Sequence, residues 1–573
     1  KEAGATYVFN STIDLQGQTV NVPANVTLRF KRGGMLQNGH LSGNDTRIRY
    51  KQPFIGENAT VDGCVVAGKK TIRDIDVFTE LRHTQEEIQT LFDISGGNKI
   101  VFSRGVYYNI DRIAINNNIN ADFQNSTINL FKDKTQMGDC FYMEPDTKQH
   151  LDYVWIKNLT IQGDNKGFSG KNPAKRCIQL FHVSDIQLDN ITIDRYYGGS
   201  QEYRSDASDL LDKSRIGTSA IALMYYDRCV INNCSTNDIN KEIFWCVPNN
   251  NPENITYFTN NRSTCSSAYG SSSFFTLIDG RCVVKNNEVH NYNGSAFNAF
   301  CYDSEIANNK FYDGKRSIAI DLSEGVMYRA KNVYIHDNEC FNTKGMIAAF
   351  GEDIRIKNNS WVNDIQKGER CIVITISTRG SRADGEYIGC ENNPEINTGS
   401  NHITVEGNVC RNDAAGKDYE VRFACVYGDN ISFVNNTLGN LNVPVVQLVE
   451  GTNFSFGHNT MQGSKSGYYG ELLINKGRDV TVTDNKFSQL HVDRDIYYAV
   501  HILSGEGSLT YKNNKADMVG SADVAQKTYV PCYVQDQSNL RQAEYIVDDT
   551  EKVLKVESRL NPDKVLLKTN LAH

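Results

Sequence analysis

An asparagine returns along this chain at one fixed place in a short apolar motif, and that repeat constrains the fold more than any other feature. Val482-Thr483-Asp484-Asn485-Lys486-Phe487 shows the unit: alternating aliphatics, a polar pair ending in Asn, then an apolar residue two positions later. The Asn recurs at Asn233, Asn261, Asn287, Asn309, Asn338, Asn359, Asn408, Asn436, Asn459, Asn485 and Asn514, at separations of 21 to 49 residues. Repetition on that scale means a solenoid, in which each repeat buries its apolar face only against its neighbours. A chain of 573 residues would ordinarily divide into several domains, but a solenoid core grows linearly with length.

Leucine-rich repeats share the pattern apolar-x-apolar-x-x-Asn-x-apolar. Here, however, Ile403-Thr404-Val405, Ile431-Ser432-Phe433 and Ile354-Arg355-Ile356 place β-formers on a period of two. A second apolar run precedes the next motif, as in Ile318-Ala319-Ile320, Cys371-Ile372-Val373-Ile374 and Val445-Val446-Gln447-Leu448. Two or more strands per repeat with no helical stripe predict an all-β chain coiled as a parallel β-helix. The repeating Asn is expected at a bend, in the left-handed backbone region, bonded to its own backbone and to the Asn of the next coil.

The flanks add detail. His83 to Phe92 reads as a helix, with Ile88, Leu91 and Phe92 spaced i, i+3, i+4. Gly96-Gly97-Asn98, the strand Lys99-Ile100-Val101-Phe102 and Gly105-Val106-Tyr107 follow. This order resembles the capping segment of the pectate-lyase-like right-handed parallel β-helix superfamily, which holds polysaccharide lyases, glycoside hydrolases and phage tailspikes. The resemblance spans about residues 79–517. It implies a right-handed coil, an exported protein (secreted, periplasmic or at the cell surface) and a saccharide polymer as partner. Calcium is the one cofactor the resemblance suggests, and no motif in the chain requires a metal or any other cofactor. The expected organisation is a small β-rich solenoid segment over 1–78, a capping helix and first coils over 79–130, the β-helix over 131–517 and a closing segment over 518–573. The closing segment carries no heptad seam, so a monomer is expected.

Composition narrows the partners. The net charge of −8 argues against a nucleic-acid ligand, which needs a basic stripe. No apolar run reaches the roughly 18–20 residues of a membrane-spanning helix. The chain opens at Lys1 without a signal-like segment, which suggests a processed form. Of the 15 cysteines, Cys340 and Cys410 fall two residues after the motif Asn, where other repeats carry Phe or Trp, so they read as small buried hydrophobes. Cys246 and Cys390 lie off the repeat.

No phosphate loop, His-Glu-x-x-His, Cys-x-x-Cys or nucleophile elbow occurs. Chemistry must therefore come from geometry. Breaks in the period at 195–218, 241–253 and 378–400 should wall a groove, with Tyr203 and Trp245 stacking on sugar. Aligning the second apolar runs brings Arg316, Lys344, Arg370 and Arg422 into nearly one row, with Asp321, Glu369 and Glu420 beside them. Cations there would neutralise a uronic-acid carboxylate and acidify the neighbouring C–H, and a base would start β-elimination. Two converging carboxylates would instead support hydrolysis. His501 is the one histidine retained as a candidate base, whereas His336 and His458 flank the Asn row and read as structural. The leading expectation is a polysaccharide-cleaving enzyme, and the alternative is a glycan-binding or adhesive β-helix.

Overall fold

The computed structural model describes the whole chain apart from residues 1–2, 109, 134–135, 138–139, 144–148, 164–175, 197–218, 240–241, 266–272, 293, 315–317, 323–329, 365–370, 377–399, 415–420, 443, 464–470, 489–495, 518–527, 548–564 and 570–573. It separates into two compact units, Lys1–Thr276 and Leu277–His573. Both are built from strands stacked in parallel as coils of a right-handed β-helix.

The amino-terminal unit opens with a five-stranded parallel sheet running from Thr6–Phe9 to Ala59–Val66. A helix follows at Gln85–Ser95. Thr84 and Glu87 close its start as a reciprocal capping box, and Gly96 ends it in the left-handed region at φ 54°. Ile88, Leu91, Phe92 and Ile94 are buried, so the helix presents the apolar face read from the sequence. Beyond it the strands Ile119–Asn129, Leu151–Gln162, Val183–Asp194 and Arg228–Asn232 pair in parallel. Their alternation puts Val154, Ile156, Ile186, Leu188 and Ile231 inside.

In the carboxy-terminal unit the coils are built from three strand segments, the third running on into the next first strand in places, as in Val421–Val434 and Val446–Gly457. The first precedes the motif Asn (Ala330–His336, Gly351–Lys357, Ser400–Glu406), and a short one follows it. The third is the second apolar run (Ile318–Asp321, Gly345–Ala349, Cys371–Ile376). The Asn side chains form a continuous buried ladder from Asn287 to Asn514. Asn436 is typical: its main-chain N–H and its Nδ2 both donate to Asn459 Oδ1 at 2.9 Å, and Nδ2 also donates to the Val405 carbonyl at 2.9 Å. The same pattern joins Asn309 to Asn338, Asn338 to Asn359, Asn359 to Asn408 and Asn485 to Asn514.

The ladder corrects one expectation. The left-handed residue is the one before the ladder Asn: Asn286, Asn308, Asp337, Asn358, Gly407, Asn435, His458, Asp484 and Asn513 have φ between 53° and 64°. Short polar side chains and Gly tolerate that region, while the ladder Asn is freed to bond across coils. Asn233 therefore belongs to the bend, with φ 53°, and Cys234 holds the ladder place, its N–H donating to Asn261 Oδ1 at 2.8 Å. Further back in the amino-terminal unit the same place is taken by Ser126, Leu159 and Ile191, after the left-handed Asn125, Asn158 and Asn190.

Two residues after each ladder Asn runs an inward column: Phe311, Cys340, Trp361, Cys410, Leu438, Met461 and Phe487, each paired with the next. The described cysteines are free thiols, Cys246 included; Cys390 lies outside the described residues. Parallel pairing continues past the last ladder Asn, where Thr528–Val547 stacks on Ile496–Asp517 and Val565–Thr569 stacks on its end.

Replacing Asn436 by Leu strips the acceptor from two buried donors of Asn408 and removes the Nδ2 donor from the Val405 carbonyl. We expect a loss of about 3 kcal/mol or more, read from the urea midpoint. Asn435→Gly, at φ 58° in the bend, should cost well under 1 kcal/mol.

Candidate functional site

Two of the third strands have an unusual outer face. In most sheets that cover a core on one side, the other face is solvated and polar. Here Gly345–Ala349 and Cys371–Ile376 are buried at every position, on both faces. Strand register defines one outward column across the carboxy-terminal unit: Asn298, Asp321, Ala348, Thr375, Cys425, Gln447, Leu473, His501 and Tyr533. Successive members stand about 4.8 Å apart.

Asp321 is half-buried in this column, and its Oδ2 accepts from the Ser295 hydroxyl at 3.2 Å. Thr375, two coils on, is only 2% exposed, and its hydroxyl has no hydrogen-bond partner among the described residues. Such an atom costs about 1–3 kcal/mol unless something polar meets it. Arg422 donates from Nη1 to Gln447 Oε1 at 2.9 Å, and Gln447 Nε2 donates to Asn475 Oδ1 at 3.4 Å. This chain fixes the guanidinium at the edge of the column.

The register separates residues that the sequence grouped. Asp321 and His501 share the column, but six coil steps lie between them, roughly 29 Å, so they cannot act on one bond. Arg422 pairs with Ile372, whereas Lys344 precedes Gly345, the partner of Ile318. Lys344 is therefore one position out of line with Arg422, and a one-residue offset turns side chains to opposite faces. These two members of the basic row are staggered rather than in line. Trp245 was expected on a loop. It sits instead inside the strand Glu242–Pro248 of the amino-terminal unit, buried, in register with Ala222 and Gln179, and its Nε1 has no partner among the described residues. The β-branched and aromatic run Ile243-Phe244-Trp245 was the available signal. Arg316, Glu369, Arg370, Glu420 and Tyr203 lie outside the described residues, as do nearly all of 195–218 and 378–400.

His501 packs between Tyr498 and Tyr533 with ring centroids 5.0 and 5.2 Å away. Burial pushes its pKa below the ordinary histidine value, and a side-chain hydrogen bond with Gln535 opposes that shift. His336, read as structural, is pinned on both nitrogens, by Glu305 at 2.9 Å and Asp337 at 2.7 Å. An open cavity of about 350 Å³ on the first-strand face, lined by Tyr334, Arg355, Lys357, Thr404 and Glu406, has no signal in the sequence. In sequence these residues look like the ordinary solvated half of an alternating strand. No group of three or more His, Cys, Asp or Glu suited to a metal ion occurs among the described residues. No helix among them is long and apolar enough to cross a membrane.

No family model matches the chain, and no curated protein sequence matches it. Solved structures do. It is similar to PfbA, a surface adhesin of Streptococcus pneumoniae, at 14% identity over 71% of this chain and 86% of that one, with a TM-score of 0.33. A second match is DFA-IIIase from Arthrobacter chlorophenolicus A6 in complex with GF2, at 10% identity, 88% and 99% coverage and a TM-score of 0.28. A PL6 alginate lyase complex with trisaccharide matches at 15% identity, 85% and 80% coverage and a TM-score of 0.24. At these scores no residue role is carried across, and the fold rests on the strand register itself.

The direction of the His501 shift sets a pH dependence. The unfolded chain takes up this proton near pH 6.5, while the folded chain takes it up only at lower pH. The contribution to stability is thus complete above about pH 6.5 and is lost as pH falls toward the folded-state pKa. Thermal unfolding of His501→Gln should show a shallower decline than wild type as pH falls below about 6.5.

Proposed function

We propose that the protein is an exported carbohydrate-active β-helix that binds a polysaccharide along the outward face of the third strands and cleaves it beside Asp321. One observation carries this reading: the column holds polar side chains, Asn298, Asp321, Thr375 and Gln447, yet most of it is withdrawn from water. A merely structural outer wall has no need to half-bury a carboxylate or leave a hydroxyl unpaired. Low water content also strengthens each electrostatic contact made to a substrate.

The spacing suits a polymer. Asp321 and Arg422 lie three coil steps apart, roughly 14 Å, so they would address different sugars of one chain. Asp321, oriented by Ser295, would act as the base of β-elimination from a uronic acid, or as the acid/base of hydrolysis. Arg316, Glu369, Arg370 and Glu420 lie just ahead of these strands in sequence and remain part of the proposed site. Lys344 would serve at its rim.

A second reading has its own support. The two described candidates for acid and base, Asp321 and His501, stand too far apart to share a bond, and a glycan-binding or adhesive β-helix needs no such pair.

The test is incubation with a panel of acidic and neutral polysaccharides, following both absorbance of unsaturated products and release of reducing ends. We expect turnover of at least one uronic-acid polymer. Asp321→Asn should lower kcat by about 100-fold or more while leaving binding within a few-fold. Saturable binding without product from any glycan would transfer the assignment to the adhesive reading.

A further inference from the structure

We infer that the carboxy-terminal unit carries a second saccharide-binding surface on the outward face of its first strands, which takes a sugar unit bearing a carboxylate or sulfate. The surface is the open cavity of about 350 Å³ lined by Tyr334, Arg355, Lys357, Thr404 and Glu406. Three consecutive coils build it. Tyr334, Arg355 and Thr404 form one column, and His336, Lys357 and Glu406 form a second, two residues along the same strands. This face differs from that of Asp321, and the inference does not rest on cleavage taking place there.

The pairing of charges identifies the ligand. Lys357 Nζ meets Glu406 Oε1 at 3.2 Å, and His336 is held between Glu305 and Asp337. Glu305 also receives Lys285 at 2.7 Å. A structural salt-bridge ladder would pair every member in this way. Arg355 is exposed and has no ion pair or side-chain hydrogen bond among the described residues. The cavity thus keeps one uncompensated guanidinium on a protein whose net charge is −8. A guanidinium presents its donors as a fork that fits a carboxylate or sulfate with two parallel bonds.

The neighbouring groups point to a sugar rather than a bare anion. Tyr334 is 36% exposed, and its ring lies almost flat against His336, with centroids 4.0 Å apart and planes 25° from parallel. The ring is therefore held in one orientation before any ligand arrives, with apolar area available to the C–H face of a pyranose and its hydroxyl free to reach a sugar hydroxyl. Thr404, Lys357 and Glu406 supply donors and acceptors around it. The volume falls at the low end of small-ligand sites, about 300–1,000 Å³, and accepts a short saccharide rather than a folded partner.

Titration calorimetry on the full chain tests this, with trigalacturonate, its methyl ester and a sulfated heparin disaccharide as probes. Wild type should bind at least one anionic probe, more weakly as NaCl rises, and should bind the methyl ester at least about tenfold less well. Arg355→Ala and Tyr334→Ala should each lower the affinity by about tenfold, and Arg355→Lys by less, with unchanged melting temperatures. Asp321→Asn should leave this affinity intact even if it abolishes turnover, which separates failure of this site from failure of the Asp321 reading. No binding of either anionic probe, equal affinity for the neutral ester, or full affinity in Arg355→Ala would each overturn the proposal.

Discussion

The carboxy-terminal unit depends on one side-chain amide shared between coils. Where the backbone bends out of a strand, its N–H and C=O groups lose their partners in the sheet, and inside a protein such groups must be satisfied. The ladder Asn meets both needs at once: its Oδ1 accepts from the N–H of the preceding coil's Asn, and its Nδ2 donates to a carbonyl of that coil. A charged group would bring a desolvation penalty, and a hydroxyl has too few sites. The amide is neutral, flat and matched to the coil spacing. With the bends locked in register, every other column of the solenoid is locked as well.

Register then acts as a ruler on the surface. Two residues in one column are neighbours only if their coils are adjacent, which is why Asp321 and His501 share a line and no chemistry, and why Arg422 reaches Gln447 directly. The same ruler assembles Tyr334, Arg355 and Thr404, which are far apart in the chain, into one wall. The third-strand face is buried or half-buried along its outward column and the first-strand face is open, although both are built from the same coils.

Much of the architecture was legible because hydrogen-bonding needs leave a periodic trace. The Asn row, the strand alternation and the Ile88–Leu91–Phe92 helical face each follow from local rules that the tertiary structure does not override. The errors were local too. Asn233 reads as a member of the row because bend and ladder positions both prefer Asn, and only the N–H of Cys234 on Asn261 tells them apart. Lys344 falls one residue out of line with Arg422, since a lysine ahead of a Gly fixes no strand phase. Trp245 lies in a strand because the break in the period at 241–253 is spanned partly by strand, which an interrupted spacing does not distinguish from a loop. The cavity at Arg355 left no trace at all: whether an exposed arginine is paired depends on neighbours from other coils, and no periodicity reports that.

The inward column two residues beyond the ladder has a different consequence. A stack of coils that present identical amides is nearly degenerate: sliding one stretch by a whole repeat would remake every Asn–Asn bond. Misassembly of this kind is a hazard of repeat proteins during folding. The column Phe311, Cys340, Trp361, Cys410 breaks the degeneracy, because each bulky ring is flanked by a small thiol. A one-coil slip would set Trp361 where a thiol belongs, and its indole would also forfeit the Thr343 carbonyl, 3.1 Å away. The hydrogen bonds make the coils interchangeable, and the volumes give each coil an address.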